Sequence, residues 1–381
     1  MNNNIKKLIV SSTVSDIGNW INRIAVLTLV LEIYNKTSST SMVSIAMTVP
    51  TLLFGFLAGK LADSGNKKKI MLISDMTRAV LVCLIALFPE YIIITVFAMS
   101  SLAVFSDVCE DSIVPELVTD EKLGEINSIY STISSIIMII GPSVAGVLIS
   151  VVGLKYCFII DAISFFASFV IRSQIGYKKE KFNEVAEYEN SSIKDGIRYI
   201  KDNKITKNIV TCTGAIGLAR GMLNALLIVY VYDYLHQDSV GYGYLLSFKG
   251  LAMVIASIVL SKIIDKMKIQ NVYKASLIGL GISLFLFPIN RIWILAIIIQ
   301  CMNGMFNAAY SIAKTTLLQT DCEQQYRGRV FSICSILGSI TSIISLSLFG
   351  GIAELVGVPQ IMGIGAIIVI MVGVVSVKTL K

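Results

Sequence analysis

Polar residues recur at helical spacing inside a long apolar stretch near the start of the chain. Asp16, Asn19 and Arg23 fall at i, i+3 and i+7, so they share one face of a helix, with Trp20 beside them. A charged side chain inside the apolar layer of a membrane is costly and usually faces a cavity or a partner. This stripe therefore predicts a polar path through a membrane-spanning protein.

Two further polar stripes lie in the second half of the chain, and both follow the spacing i, i+4, i+7 and i+11. Their members are Thr213, Gly217, Arg220 and Asn224 in one, and Asn303, Asn307, Tyr310 and Lys314 in the other. Guanidinium, amide and phenol groups on one helix face can bind a polar small molecule. The predicted substrate-contacting residues are Asp16, Asn19, Trp20, Arg23, Arg220, Asn224, Asn303, Asn307 and Tyr310.

Two carboxylates are candidates for taking up and releasing a proton. Asp16 comes first, because burial in a span disfavours the charged form of a carboxylate. A static ion pair between Asp16 and Arg23 remains the alternative. Asp161 is the second candidate, with a structural role equally open, and the three acids Asp107, Glu110 and Asp111 are interpreted as a solvated rim.

The elements that must position these residues are apolar helices. The chain has 381 residues, of which 55% are hydrophobic and only 15% charged, and its mean hydropathy is +0.77. A span needs roughly 20 mostly apolar residues, and its backbone must satisfy its own hydrogen bonds. We therefore predict an all-α membrane protein with about twelve spans: 8–33, 40–61, 70–88, 92–114, 125–150, 155–175, 207–234, 243–263, 272–289, 293–316, 329–350 and 359–378.

Basic residues indicate how the chain crosses the membrane. Clusters such as Lys67 to Lys69 and the basic stretch between the two groups of spans fall on one side, which the positive-inside rule assigns to the cytoplasm. Both termini are then cytoplasmic, in a multi-pass protein of the cell membrane. Within the stretch, Ile193, Ile197 and Ile200 predict an amphipathic helix on the membrane surface. The net charge of +7 follows from this rule and requires no nucleic acid.

Several functional classes lack the residues they need. A single histidine, His236, and seven cysteines without metal-ligand spacing predict no metal site and no cofactor. No Gly-rich phosphate-binding loop is present, so ATP hydrolysis is not predicted as an energy source. The first apolar run contains Asp16 and Arg23 and lacks a cleavage site, so it is not a cleavable signal peptide. A membrane-embedded transferase would need a general base or a metal, so an enzyme is not predicted.

The two halves of the chain contain similar segments. Gly59 to Asp63 and Ser261 to Asp265 each place a small residue four positions before an aspartate, followed by basic residues. Gly146 and Gly153 recur as Gly350 and Gly357 at the same spacing. Repeats of six spans across a basic linker are typical of secondary transporters.

The segment from Gly59 to Ile70, GKLADSGNKKKI, resembles the cytoplasmic signature loop of the major facilitator superfamily. Its continuation from Met71 to Ala79, MLISDMTRA, resembles the branch with macrolide-efflux proteins and enterobactin exporters. Further matches are Pro115 to Val118, Asn127, Ile140 to Gly146, Asp161 to Phe165 and Arg327 to Val330. Two departures are Ser64 and Asn66 where the family often has Arg and Gly. Asn tolerates the left-handed conformation that Gly serves in a tight turn, so the fold of the loop is expected to survive. The fourth span also lacks the family's frequent Arg, which weakens the case for proton coupling by that route.

The resemblance implies two six-helix bundles, over residues 1–175 and 207–381, joined by a cytoplasmic linker over 176–206. It places the first, seventh and tenth spans around the substrate cavity. It also implies a cytoplasmic gate formed by Gly59, Asp63, Lys67, Lys68, Asp75, Arg78, Arg327 and Arg329. A bend in the fifth span is expected at Gly141, Pro142 and Gly146, with close helix packing as the alternative.

The function that the resemblance implies is proton-coupled export of small amphipathic or lipophilic compounds by alternating access. The expected partners are the small-molecule substrate, protons and the lipid bilayer, and the chain is expected to act as a monomer. Two alternatives stay open: a dedicated exporter of one metabolite such as a siderophore or peptide, and a membrane sensor that binds a ligand without transporting it.

Overall fold

The computed structural model describes residues 3–64, 66–118, 120–177, 193–263 and 267–379. Within these ranges the chain forms thirteen α-helices and no β-strand. The helices are α1 Asn3–Tyr34, α2 Thr37–Ser64, α3 Lys67–Leu87, α4 Ile92–Leu117, α5 Asp120–Val152, α6 Leu154–Ser173, α7 Ile193–Asp202, α8 Lys204–Asp233, α9 Ser239–Ile263, α10 Ile269–Ile289, α11 Trp293–Asp321, α12 Gln324–Val356 and α13 Val358–Thr379.

Each of the twelve predicted spans corresponds to one long helix, so the all-α membrane fold is confirmed. In the described part of the chain, eleven helices are long and apolar enough to cross a membrane. The twelfth, α1, is 32 residues long, but the polar stripe through its middle lowers its hydropathy. The short helix α7 lies where the isoleucine pattern predicts an amphipathic helix.

The helix α7 packs against the protein as well as presenting an exposed face. It contacts α8 and α12, and Gly196 lies against the side chains of Arg329 and Ile333. Ile200 is buried, whereas Ile197 is 44% exposed. The predicted linker residues 178–192 and the terminal Lys381 lie outside the described residues.

Local sequence explains where the helices begin and break. Asn66 has φ −88° and ψ 99°, and its side-chain oxygen accepts a hydrogen bond from the Lys69 amide, so it caps α3. Asn66 therefore does not use the left-handed conformation that asparagine tolerates, because N-capping requires an extended conformation. Gly153 and Gly357, at the α5–α6 and α12–α13 junctions, have φ of +82° and +105°. Glycine adopts such values without a Cβ clash, so the repeat seen in the sequence is also a repeat of backbone conformation.

The first of two compact units comprises the described residues of Met1–Lys181 together with Gln237–Ser247. Its helices pack as α1 against α5 and α6, α2 against α4, and α3 against α4 and α6. A buried core includes Leu8, Met71 and Ile113. The α1 backbone at Gly18 lies so close to α6 that a Cβ there would be 2.0 Å from Ser164 Oγ. This close approach fixes the polar stripe of α1 beside α6.

The second unit comprises the described residues of Phe182–His236 and Phe248–Lys381. Here α8 packs against α12 and α13, and α10 packs against α11 and α13. Its core includes Tyr273, Leu317 and Cys334. A Cβ on Gly221 would lie 2.3 Å from the Ser342 carbonyl oxygen, so α8 and α12 are in near backbone contact. The residue before it, Arg220, is thereby held at a defined position.

Candidate functional site

A cavity of about 650 Å³ lies within the first unit. Three residues of the predicted α1 stripe, Asp16, Asn19 and Arg23, line it. The other charged and amide residues of its wall are Asn22, Arg78, Asp107, Glu110, Asp111 and Asn127. Trp20, the fourth predicted residue of α1, packs its indole on α5 at Gly141. The α1 stripe therefore forms a wall of a real cavity, with carboxylates in excess over cations.

Arg78, on α3, is a second cation on the wall of this cavity, which Asp16 also lines. Its Nη2 donates a hydrogen bond of 2.5 Å to Asn19 Oδ1, and its guanidinium lies 4.0 Å from the ring centroid of Phe165. It interacts electrostatically with the carboxylates of Asp107, Asp161 and Asp75. The aromatic ring and the acids together stabilise a buried guanidinium.

Asp16 and Arg23 form no ion pair in the described structure, so the alternative of a static pair between them is wrong. The guanidinium of Arg23 instead lies over the Trp20 ring, 5.6 Å from its centroid. Seven residues along a helix correspond to about 10.5 Å of rise, which separates the two groups along the axis. Asp16 is therefore left on the cavity wall without a cation of its own helix.

Arg172, on α6, is the centre of a buried polar cluster that the sequence analysis missed. Its Nη1 lies 3.2 Å from Asp75 Oδ1 and 3.1 Å from Ser106 Oγ, and its Nη2 lies 2.5 Å from Glu110 Oε2. Ser168 Oγ donates to Asp75 Oδ2 at 2.8 Å. One guanidinium thus joins α3, α4 and α6.

This cluster changes the interpretation of one predicted rim acid and of two predicted gate residues. Glu110 is paired with Arg172 and also accepts from Ser12, so it is not part of a solvated rim. Asp75 is fully buried against Arg172, while Arg78 lines the cavity. Asp75 and Arg78 are three residues apart and share one face of α3, but Asp75 pairs with Arg172 whereas Arg78 donates to Asn19. Arg172 itself lies near the end of a predicted span, where a basic residue resembles an ordinary boundary residue.

Asp161, the second proton candidate, is completely buried on α6. Ser164 Oγ donates to the Asp161 carbonyl oxygen at 2.8 Å and lies 3.3 Å from Asp161 Oδ1. A Cβ on Gly18 of α1 would lie 2.5 Å from that carboxylate oxygen. With Phe165 stacked on Arg78, the segment from Asp161 to Phe165 is a packing element, and this geometry favours a structural role.

Among the residues of the signature loop, Lys67 and Lys68 have defined partners in the first unit. Lys67 forms an ion pair with Glu116 and donates to the Ser112 carbonyl oxygen at 3.1 Å. Lys68 donates to the carbonyl oxygens of Ser173 and Ile175 at 2.6 and 2.8 Å, at the carboxyl end of α6. Lysine is favourable there because the last carbonyls of a helix lack partners and carry partial negative charge.

Tyr177 completes this corner of the unit. It donates a hydrogen bond of 2.8 Å to Glu116 Oε2. Burial, and then the hydrogen bond to the carboxylate, raise the pKa of the Tyr177 phenol, so it stays a proton donor at neutral pH. These contacts tie the start of α3 to α4 and α6.

The other predicted gate residues are placed less fully. Gly59 has open space around its Cβ position, and the side chain of Asp63 lies outside the described residues. In the second unit, Arg327 Nη2 donates to the Cys322 carbonyl oxygen at 3.4 Å, and Arg329 lies 5.4 Å from the Tyr326 ring centroid. The gating role of the set stays a prediction.

A smaller cavity, of about 220 Å³, lies within the second unit. Four predicted residues line it: Arg220, Asn224, Asn303 and Asn307. Lys249 of α9, which the sequence analysis did not select, also lines it. The remaining wall is apolar, with Leu223, Met253 and Leu284 among others. The stripes of α8 and α11 therefore meet at one cavity.

Tyr310 lies next to this cavity but is buried in the core. Its hydroxyl is 3.2 Å from Thr213 Oγ1, so the two stripes also touch here. Its ring packs against Tyr273 at 5.7 Å, and the Lys314 ammonium lies 5.8 Å from its centroid. Tyr310 supports the cavity wall through packing and does not line it.

The residues predicted to bend α5 make close contacts. The position of a Cβ on Gly141 is 2.7 Å from Trp20 Cδ1, and that on Gly146 is 2.3 Å from the Ser239 carbonyl oxygen. Pro142 lies inside the continuous helix α5, and its carbonyl oxygen approaches Gly243. These contacts favour the close-packing alternative.

The fold and the two polar cavities are those of a membrane transporter, and the comparisons agree. A family model described as transmembrane secretion effector matches residues 1–380, so the chain belongs to this family of major facilitator transporters. The predicted superfamily, with its macrolide-efflux branch, is confirmed.

Known proteins resemble the chain along nearly its whole length. The staphyloferrin A transporter of Staphylococcus aureus (strain NCTC 8325 / PS 47) is 27% identical, over 95% of this chain and 93% of its own. The macrolide efflux protein A of Streptococcus pyogenes is 24% identical, over 87% of this chain and 85% of its own. The crystal structure of the nucleoside transporter NupG has the same fold, with a TM-score of 0.81, 13% identity and all of both chains covered.

Proposed function

We propose that this transporter exports small amphipathic compounds across the cell membrane by alternating access, driven by the proton gradient. The observation that carries the proposal is Asp16, a carboxylate on the wall of the 650 Å³ cavity without an ion-pair partner among the described residues. A carboxylate that alternates between a polar cavity and an apolar surrounding changes its proton affinity, which couples transport to the gradient.

The neighbours of Asp16 support this role. The Asn19 amide and the Arg78 guanidinium are joined by a hydrogen bond, and Asp107 belongs to the same electrostatic group. Protonation of Asp16 would remove one negative charge from this group. A substrate that carries a charge or a hydrogen-bond donor would then compete with the proton for the same cavity.

A second candidate function is the export of a single anionic metabolite. The specific observation is the second cavity, whose described wall carries Arg220 and Lys249 and no carboxylate. A relative named as a staphyloferrin A transporter supports this candidate. Both candidates share the fold, the cavities and the proposed proton coupling.

Accumulation assays test the leading proposal. Pump-deficient bacteria expressing the protein would be loaded with erythromycin, ethidium and two carboxylate-bearing compounds, norfloxacin and rhodamine B, with and without an uncoupler. We expect lower accumulation of several compounds, and we expect the uncoupler to abolish the difference. Unchanged accumulation across the panel, in cells with normal expression, would reject the broad exporter and leave the single-metabolite candidate.

Two variants of the same helix test the role of Asp16. Asp16→Asn keeps the size of the side chain but cannot release a proton, so we expect uncoupler-sensitive export to fall at least about tenfold. Glu32→Gln is the matched control, because Glu32 is exposed near the end of α1 and does not line the cavity. Full export by Asp16→Asn would assign the coupling to another group.

A further inference from the structure

The mid-span charges of the second unit are all positive. Arg220 on α8, Lys249 on α9 and Lys314 on α11 lie well inside their helices. The described acids of this unit lie at or near helix ends: Asp195, Asp202, Asp233, Asp321, Glu323 and Glu354. The ion pairs of Lys67 with Glu116 and of Arg172 with Asp75 and Glu110 lie in the first unit, and none of them involves Arg220, Lys249 or Lys314. The described part of the second unit therefore holds three cations well inside its spans and no acid there.

Arg220 and Lys249 are brought together by close helix packing. Gly221 lets α8 approach the α12 backbone, and Gly304 lets α9 approach α11, where a Cβ would lie 2.4 Å from the Lys249 carbonyl oxygen. Both side chains line the 220 Å³ cavity, and the Arg220 charge acts on Lys249. Like charges repel, so holding them together costs free energy that a bound anion would recover.

The rest of the wall suits an amphipathic anion. Asn224 and Asn307 add amide groups beside the two cations, while Asn303 donates to Ser283 Oγ at 3.1 Å. The apolar lining residues include Ile216, Leu280 and Val369. A carboxylate can accept hydrogen bonds from the guanidinium, the ammonium and the amides at once, and an apolar body can cover the aliphatic side chains.

We propose that the transported substrate carries a carboxylate, and that this carboxylate binds between Arg220 and Lys249 in the cavity of the second unit. The proposal rests on the transport function given above and adds the chemical class of the substrate. The cavity volume accommodates the anionic end of a larger molecule, so the proposal holds for a multi-substrate exporter and for a single-metabolite exporter.

Binding of a matched pair of dyes tests the proposal. Rhodamine B carries a free carboxylate, and its ethyl ester has the same aromatic body without that negative charge. Fluorescence anisotropy with the purified full-length protein in a neutral detergent gives the two dissociation constants. We expect the carboxylate dye to bind at least about tenfold more tightly than the ester, as for a charge pair removed from water.

Variants assign the preference to the two cations. Arg220→Gln and Lys249→Met are each expected to weaken binding of the carboxylate dye to about the affinity of the ester, which removes the preference. Lys249→Arg keeps the charge and is expected to retain the preference, which separates charge from packing. Lys207→Gln, exposed near the start of α8, is the control cation. Ester binding by each variant shows that it is folded.

Three outcomes would overturn the proposal: equal affinity for the two dyes, a preference that survives both neutral variants, or binding of neither dye. Added phosphatidylglycerol is a further arm, because competition by this lipid would assign the cavity to an anionic headgroup and reject a substrate carboxylate. The accumulation assays are independent of this result. Export by the unmodified protein that does not discriminate between dye and ester would reject the anion site and keep the exporter.

Discussion

At the scale of single residues, the cations inside the spans have two kinds of surroundings. Arg172 has two carboxylates and three serine hydroxyls around it, so its charge is matched within the first unit. Lys249 lines a cavity whose described wall has no acid. Removing one partner of a matched buried pair is strongly destabilising, whereas an unmatched charge on a cavity wall is a candidate site for a ligand.

Loss of Arg172 is therefore expected to destabilise the protein. Arg172→Met leaves Asp75 and Glu110 buried without their cation, which costs about 3–5 kcal/mol. The thermal unfolding midpoint in detergent measures the change. Arg198→Met, an exposed position on α7, is the control.

A combined variant shows whether the cost comes from the stranded acids. Arg172→Met together with Asp75→Leu and Glu110→Gln removes the acids as well as the cation, and we expect it to recover most of the lost stability. A midpoint for Arg172→Met equal to that of the control would contradict the proposed centre of the cluster.

The sequence predicted the cavity walls better than the buried pairs. The stripes on α1, α8 and α11 line real cavities because a helical period identifies one face without knowledge of neighbours. Arg172 shares a face of α6 with Asp161 and Ser168, but its ion-pair partners come from helices distant in sequence, as do the residues that line the cavity with Lys249. No spacing rule detects such contacts from a single sequence.

At the scale of helices, the repeat in the sequence reappears as two equivalent junctions. Gly153 N–H donates to the Ile149 carbonyl and Gly357 N–H to the Ala353 carbonyl, and each glycine carbonyl accepts from the residue four positions later. Both have positive φ, which a Cβ makes unfavourable. The helices reverse direction at these two residues without a longer loop.

Substitution of either junction glycine is expected to destabilise the protein. Gly153→Ala and Gly357→Ala force a side chain into a backbone conformation that is almost exclusive to glycine, at about 1–3 kcal/mol each. Gly351→Ala is the matched control, because Gly351 is helical with open space at its Cβ position, and alanine favours helices. The unfolding midpoint should fall for the junction variants and hold or rise for the control. A fall of equal size in all three would show that the junction conformation is unimportant.

The ends of the helices were harder to predict than their existence. The helix α12 runs from Gln324 to Val356, beyond both ends of the predicted span 329–350, and α8 begins three residues before its predicted start. Helices continue past the apolar layer where caps satisfy their amides, as Asn203 does for α8 through the Thr206 amide. An apolar window cannot detect such polar first turns.

At the scale of the whole molecule, charge is distributed unevenly between the two halves. Among the described residues, the carboxylates well inside the spans belong to the first unit, and the cavity of the second unit is lined by cations without an acid. We infer a division of labour, with proton exchange at the acidic cavity and anion binding at the basic one. Among the described residues, each half of the chain has six long helices, and this accounts for the repeat seen in the sequence. The two cavities can therefore differ in charge.

The orientation in the membrane follows from charge at the same scale. Lys67 and Lys68 lie at the start of α3, and twelve spans return the C-terminus to the side of the N-terminus. Because basic residues stay in the cytoplasm, we predict that both termini are cytoplasmic and that the junction at Asn35, between α1 and α2, is external.

Reporter fusions measure this orientation directly. Green fluorescent protein attached after the last residue is expected to fluoresce, whereas alkaline phosphatase at the same place is expected to be inactive, since it folds only outside the cytoplasm. Phosphatase inserted after Asn35 is expected to be active, because that exposed residue separates α1 from α2 on the opposite side. An active phosphatase at the C-terminus, or an inactive one after Asn35 in a well-expressed fusion, would reverse the assignment.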